Sequence, residues 1–196
     1  VKIRSVEFVD SVAEPDQKRP RDLPHVAFSG RSNVGKSSLI NVLLRRTRSK
    51  IARVSSTPGK TRTINFYRVN DRFYLADLPG YGYADVPDQM RERWRALIEA
   101  YMEGQEELRG VVHLVDARHD PTRLDEQMVA YLGGLGLPAL VVLTKMDKLN
   151  RSGRKGRLAK AASALEVDPE QVLAFSAKTR EGREALLGAI DTLLRG

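Results

Sequence analysis

The chain has 196 residues, 41 % of them hydrophobic, enough for a sizeable core, and its 33 lysines and arginines against 25 acids leave a formal charge of +8. The absence of cysteine excludes disulfides and thiolate metal sites, and His25, His113 and His119 stand too far apart for a metal motif. No apolar run approaches the roughly 18 residues of a membrane span, and Val1-Lys2-Ile3-Arg4-Ser5 lacks the apolar stretch of a secretory signal, so the expected setting is the cytoplasm.

In chain order, residues 2–9 alternate as a strand does, and Pro15, Pro20 and Pro24 make the following stretch a non-helical connector. Residues 25–29 form an apolar strand running into Gly30-Arg31-Ser32-Asn33-Val34-Gly35-Lys36-Ser37, and residues 38–44, beginning at Ser38, continue with a helical apolar face. Strand, glycine-spaced loop and helix together make a phosphate-binding loop. Gly30 and Gly35 allow torsions and a close approach that a Cβ would block. Backbone N–H groups then converge on phosphate oxygens at a helix start, where the dipole also favours negative charge. Lys36 reaches the β- and γ-phosphates, and the Ser37 hydroxyl suits Mg2+. The expected ligand is a nucleoside triphosphate.

Residues 45–62 are polar, basic and long for a connection in a compact domain, which marks them as functional. They contain Pro58-Gly59-Lys60-Thr61-Arg62, followed by Thr63. A loop that senses the γ-phosphate needs a hydroxyl able to reach Mg2+ only when that phosphate is present. Thr61 is the choice, with Thr57 and Thr63 open as neighbours. Residues 63–69 and 72–78 read as two strands joined by Asn70-Asp71, hence antiparallel. The second ends in Asp77-Leu78-Pro79-Gly80, where the carboxylate suits Mg2+ through water and the Gly80 N–H suits the γ-phosphate. Residues 87–101 form a helix with Met90, Trp94, Leu97, Ile98 and Tyr101 on one stripe.

Strand and helix then alternate: strands at 111–116, 139–144 and 172–176, helices at 124–132, 154–165 and 180–194. His113, inside the apolar run Val111-Val112-His113-Leu114-Val115, is expected as a satisfied core residue. The whole pattern is α/β: a three-layer phosphate-loop domain over residues 1–196, with residues 1–24 as an N-terminal strand and connector. It predicts a mainly parallel sheet with one antiparallel strand pair and helices on both faces. Ligands in such sheets sit at the carboxyl ends of the strands.

Thr144-Lys145-Met146-Asp147, closing the strand at 139–144, selects the base. A carboxylate accepts from two donors, and guanine presents N1–H beside its 2-amino group, whereas adenine offers an acceptor and no amine. Such a mismatch costs several kcal/mol, on the order of 10⁴-fold. The Lys145 stem can cover the base plane, and Phe175-Ser176-Ala177-Lys178 can supply a backbone N–H to guanine O6. Two basic clusters point to RNA as a partner. One comprises Arg45, Arg46, Arg48, Lys50, Arg53, Lys60, Arg62, Arg68 and Arg72; the other Lys145, Lys148, Arg151, Arg154, Lys155, Arg157 and Lys160.

Taken together, residues 30–41, Thr57 to Tyr67, Asp77-Leu78-Pro79-Gly80-Tyr81-Gly82-Tyr83-Ala84 and residues 144–147 resemble the EngB (YihA/YsxC) family. These are small bacterial GTPases of the TrmE-Era-EngA-EngB-septin group, involved in assembly of the large ribosomal subunit. The resemblance covers essentially the whole chain. It implies GTP or GDP with Mg2+, bound by residues 30–38, 59–63, 77–80, 144–147 and 175–178, with Ser37 and Thr61 as metal ligands and Asp77 acting through water. Lys36, Thr61 and Gly80 would act on the reacting phosphate. It further implies a large-subunit particle, rRNA and ribosomal proteins, as partner, a monomer, and a link to division septation. Tyr81 departs from the Ras-like pattern, which keeps a water-orienting glutamine there, so slow intrinsic hydrolysis is expected. Asn33 resembles the asparagine that holds K+ in potassium-stimulated relatives; a loop asparagine bonding its own backbone is the alternative. A small-molecule kinase and a nucleotide-dependent RNA-binding module without turnover are the competing functions. A kinase needs an acceptor pocket and a lid, and no segment offers either.

Overall fold

A computed structural model describes residues 2–45, 63–82 and 88–196. The elements are β1 (Val6–Val12), β2 (His25–Gly30), α1 (Lys36–Leu43), β3 (Ile64–Val69), β4 (Phe73–Asp77), α2 (Asp88–Gly104), β5 (Leu108–Asp116), α3 (Arg123–Gly134), β6 (Ala139–Thr144), α4 (Arg151–Arg154), α5 (Arg157–Leu165), β7 (Val172–Ala174) and α6 (Arg183–Arg195). The strands form one sheet in the order β1-β3-β4-β2-β5-β6-β7. The expected antiparallel pair β3–β4 is present, with Asn65 opposite Asp77 and Val69 opposite Phe73. Asn70 and Asp71 both take left-handed torsions (φ 52° and 51°), as a tight turn that follows the strand twist requires. β1 adds antiparallel to the outer side of β3, while β4, β2, β5, β6 and β7 are mutually parallel.

Alternation along the strands explains why both faces are covered. Val26, Phe28, Val112, Leu114 and Val142 face α1 and α6, with Leu39, Leu43, Leu186 and Ile190 packed against them. Ala27, Ile64, Phe66 and Val111 face the other way, onto Leu97, Ile98 and Tyr101 of α2. Further along that second face, Val115, Val141, Leu143 and Val172 meet Ala161, Ala162 and Leu165 of α5 and Val129 of α3. β2 is buried along its whole length, as expected of a strand with helices above and below. Met90 and Trp94 of the predicted α2 stripe are only half-buried. The C-terminus of α1 is capped by the buried Arg183 guanidinium, which donates to Val42 O at 3.0 Å and Leu43 O at 2.7 Å. A cation there complements the helix dipole and fixes α1 against α6.

Several boundaries differ from expectation, each for a local reason. The first strand spans Val6–Val12 instead of 2–9, and a bulge interrupts its pairing between Phe8 and Asp10. Residues 2–5 are held instead by the Asn70 side chain, which accepts from the N–H groups of Arg4 (2.7 Å) and Ser5 (3.0 Å) and donates to Lys2 O (2.7 Å). The basic helix expected at 154–165 is split, because Gly156 (φ 74°) starts α5 and Asn150 caps the short α4 by accepting from the Gly153 N–H. Left-handed Arg180 and Gly182 delay α6 to Arg183. Residues 46–62 and 83–87, including Pro87 of the second predicted helix, lie outside the described residues.

His25, at the start of β2, is fully buried beside Phe66, Tyr74 and Tyr101, and its Nδ1 lies 3.0 Å from the Tyr101 hydroxyl oxygen. Burial is the main cause that lowers its pKa from 6.5 to about 4, against weaker upward pulls from Glu107 and Asp22. An unfolded chain takes up this proton near pH 6.5, whereas the folded one resists until about pH 4. Its contribution is therefore complete above pH 6.5 and lost as the pH falls towards 4, at up to about 1.4 kcal/mol per pH unit. Denaturant titrations between pH 7 and 4.5 should show that decline, and His25→Gln should flatten it while lowering stability at pH 7.

Candidate nucleotide site

Because five strands run parallel, their carboxyl ends gather Gly30, Asp77, Asp116, Thr144 and Ala174 along one sheet edge. All the sequence motifs within the described residues lie on that edge, where an open parallel sheet takes its ligands.

Gly30 leaves β2 at φ 157°, and a Cβ there would meet Val34 Cγ1 at 3.0 Å and Leu114 O at 3.1 Å. Gly35 starts α1 at φ 102°, a torsion that side chains rarely adopt. Asn33 is likewise left-handed (φ 61°) and exposed, which gives a backbone reason for asparagine at that position. α1 has neither a side-chain cap nor an acid in its own first turn, so its leading N–H groups are not taken by a side chain of the helix itself. Lys36, Ser37 and Ser38 form that turn, and Lys36 Nζ contacts Asp77 Oδ1 across the site. The opposed charges of phosphate ligand and metal would therefore meet between α1 and the end of β4.

The second motif is sewn to the first. The Leu78 N–H donates to Phe28 O at 3.0 Å, the Ser32 N–H to Tyr81 O at 2.8 Å, and the Tyr81 N–H to Gly30 O at 3.4 Å. Arg31 pairs with Tyr81 as an isolated bridge. Asp77, Leu78 and Pro79 are buried, and Gly80 is half-buried over the loop.

At the opposite end Thr144-Lys145-Met146-Asp147 also grips the phosphate loop. The Thr144 hydroxyl donates to Val34 O at 2.6 Å, and the Lys145 ammonium to Asn33 O at 2.7 Å. Lys145 makes a second bond, 2.8 Å, to Asp116 Oδ2. Burial alone would raise the Asp116 pKa, but hydrogen bonds from Arg118 and Lys145 together hold it far below the usual carboxylate range. Asp116 was absent from the sequence expectation; its signal was an acid ending a strand on the same edge as the motifs. Met146 is buried, and its N–H donates to Phe175 O at 3.2 Å. The Ser176 hydroxyl donates to Asp147 Oδ1 at 2.7 Å and accepts from the Thr179 N–H at 3.1 Å, so the carboxylate that would read the base is aimed by the neighbouring loop. Phe175 and Ser176 are buried, Ala177 half-buried and Lys178 exposed.

Gly59, Lys60, Thr61 and Arg62 lie outside the described residues, as do Thr57 and Tyr83. Thr63 precedes β3, and its hydroxyl donates to Asn65 Oδ1 at 3.1 Å. Among the described residues no three His, Asp or Glu cluster as a cation cage. The oxygen donors present nevertheless fit Mg2+, which in triphosphate sites takes one or two protein oxygens, phosphate and water; Ser37 and Asp77 are the residues that would hold it. In the second basic cluster, Arg157 (2.7 Å) and Lys160 (2.9 Å) bond to Asp120, and Arg154 to Glu181 at 3.1 Å. Exposed Lys148, Arg151 and Lys155 make no ion pair among the described residues. No helix among these residues is long and apolar enough to cross a membrane.

Residues 25–145 match the family model described as a 50S ribosome-binding GTPase. The chain is 49 % identical to a probable GTP-binding protein EngB of Pelotomaculum thermopropionicum, covering 97 % of this chain and 96 % of that one. It is 43 % identical to the Bacillus subtilis protein of the same description, covering 99 % of each. A crystal structure of a probable GTP-binding protein engB superposes with a TM-score of 0.73 and 26 % identity, over 87 % of this chain and 98 % of that one. Aquifex aeolicus Era bound to GDP and AlF4− shares the fold, with a TM-score of 0.70 and 23 % identity over 88 % of this chain and 57 % of that one. The chain belongs to the EngB family of GTP-binding proteins, phosphate-loop GTPases that hydrolyse GTP.

Proposed function

We propose that residues 1–196 act as one guanine-nucleotide switch that works on the large ribosomal subunit during its assembly. The observation that carries the reading is the joining of three motifs at one sheet edge, with Thr144 and Lys145 hydrogen-bonded to the backbone of the phosphate loop. In this reading the N–H groups of residues 30–38 and Lys36 cradle the phosphates, while Ser37 and Asp77 serve Mg2+. Bound there, Mg2+ would neutralise charge on the β- and γ-phosphates. Gly80 offers its N–H to the γ-phosphate, and Asp147, aimed by Ser176, accepts from guanine N1–H and the 2-amino group. Thr61 would add the γ-phosphate-dependent metal contact. With Tyr81 following Gly80, no glutamine orients the attacking water at that position, so turnover by the protein alone should be slow.

Two observations support the ribosomal partner: the family model's description and the charge of +8. Neutralising phosphates with lysine and arginine releases counterions, so RNA affinity should fall steeply with salt.

Asp147→Asn should lower GDP affinity about 100-fold or more in calorimetry and improve xanthine nucleotide binding, because an amide can donate to the xanthine 2-oxygen. Unchanged GDP binding would remove Asp147 from the site. Lys36→Ala should reduce phosphate release from GTP about 100-fold, since it deletes the cation beside the phosphates; a wild-type rate would overturn the phosphate-loop assignment. Potassium dependence follows from Asn33: K+ in place of Na+ at equal ionic strength should raise hydrolysis, and Asn33→Ala should abolish the difference. For the function as a whole, large-subunit particles should co-sediment more strongly with a GTP analogue than with GDP, and binding should drop about tenfold or more between 50 and 200 mM salt. Equal, salt-insensitive binding in both nucleotide states would refute the ribosomal switch.

A further inference from the structure

In the proposed site the Gly80 N–H meets the γ-phosphate, whereas the Tyr81 side chain reaches into the layer between the sheet and α3. Its hydroxyl donates to Asp125 Oδ1 at 3.1 Å and lies 3.2 Å from His113 Nε2, and its ring stacks on the imidazole (6.2 Å between centroids, 11° between planes). His113 Nε2 is itself 3.3 Å from Asp125 Oδ1, and its Nδ1 is 2.8 Å from the Ser29 hydroxyl oxygen. The second oxygen of Asp125 accepts from the Thr122 N–H (2.8 Å) and hydroxyl (2.7 Å), the capping box that opens α3. With the imidazole proton on Nε2, every donor finds an acceptor: Ser29 O–H to Nδ1, Nε2–H and Tyr81 O–H to the carboxylate. Burial, then the adjacent carboxylate, pushes the Tyr81 phenol far up, so it stays a donor. Burial would raise Asp125, but the bonds from His113 and Thr122 outweigh it and keep the group an acceptor.

Ser29, His113 and Asp125 are all at most 2 % exposed. A buried carboxylate with four donors is a costly way to fill space, but a fully satisfied network fixes geometry more sharply than apolar packing does. What it fixes is the chain on either side. Ser29 immediately precedes Gly30, and Tyr81 immediately follows Gly80. Tyr81 is also bound by its backbone to Gly30 and Ser32. Gly80 thus sits between a proline, whose φ is locked, and a residue anchored at both backbone and side chain. A Cβ on Gly80 would stand 3.3 Å from the Ser32 backbone, so the approach is already close.

We propose that Tyr81 is a positioning residue for GTP hydrolysis: its phenol, held by Asp125 and His113, sets where the Gly80 N–H meets the γ-phosphate. This rests on the reading that the Gly80 N–H contacts that phosphate. Loss of the anchor should therefore cost what the γ-phosphate adds to binding and turnover, and leave the rest of the nucleotide site intact.

The test compares full-length wild type, Tyr81→Phe, Asp125→Asn and Gly80→Ala. Each is measured for GDP affinity, affinity for a non-hydrolysable GTP analogue, kcat, KM and thermal unfolding. Tyr81→Phe keeps the ring and should leave GDP affinity within about twofold, weaken the analogue about three- to tenfold, and lower kcat about tenfold. Asp125→Asn, whose amide can still cap α3 through its oxygen, should move the same quantities in the same direction. Should Asp125→Asn fail to fold, Tyr81→Phe decides alone. The proposal is overturned if Tyr81→Phe weakens GDP and analogue equally, or lowers only the unfolding temperature. If Gly80→Ala reduces the analogue-to-GDP ratio and Tyr81→Phe does not, positioning by Tyr81 fails while the Gly80 contact stands. If Gly80→Ala leaves both ratio and kcat at wild-type values, the contact fails and takes the proposal with it.

Discussion

Two carbonyl oxygens of the phosphate loop, those of Asn33 and Val34, hold the nucleotide site together. They accept from Lys145 and Thr144, residues more than a hundred positions later in the chain. A loop whose N–H groups must turn inward towards an anion has its carbonyls turned outward, and outward carbonyls in a half-buried site need donors. Thr144 and Lys145 supply them. Thr144-Lys145 and the phosphate loop are thereby fastened together, and a charge-assisted bond from Lys145 is stronger than a neutral one would be.

That bond depends on electrostatics arranged further out. Lys145 is shared between Asn33 O and Asp116, and Asp116 is shared between Lys145 and Arg118. The acid keeps the ammonium pointing along the loop, while the arginine keeps the acid ionised. On the phosphate side Lys36 and Asp77 face each other in the same fashion. Each cation that would touch ligand thus has a carboxylate orienting it, and each carboxylate sits at the end of a strand that cannot shift without disturbing its neighbours.

Residues whose chemistry is local were legible in the sequence. Gly30, Gly35, Lys36 and Ser37 form a contiguous loop whose spacing dictates their use, and Asp77 and Asp147 end runs of strand-like residues. The alternation of strands and helices implies the parallel half of the sheet and the edge along which the motifs gather. Features assembled across the chain were not legible. Asp116 acquires a role only because β5 and β6 are neighbours, and Asp125 only because α3 packs over His113 and Tyr81. His113 is a buried, hydrogen-bonded core residue as expected, yet its partners come from β2, α3 and the loop after β4. Boundaries slipped where one side chain or one torsion overruled the pattern: Asn70 captured residues that alternate like strand, and Gly156 broke a run that reads as continuous helix. The choice of Thr61 falls outside the described residues.

The bulge in β1 has a consequence for how copies of this chain behave at high concentration. Among the described residues the sheet ends at β1 and β7, and each end strand offers backbone groups on which another strand can add. At one margin β7 is only three residues long, too short to nucleate a ladder. At the other, β1 is longer and exposes Phe8 at 52 %, a side chain that would otherwise invite stacking. There the bulge between Phe8 and Asp10 breaks the straight run of N–H and C=O groups, and the exposed Asp10 and the Glu7–Arg68 ion pair line it with charged side chains. The bulge thereby makes that margin a poor template for edge-to-edge growth, even though it carries an exposed aromatic side chain.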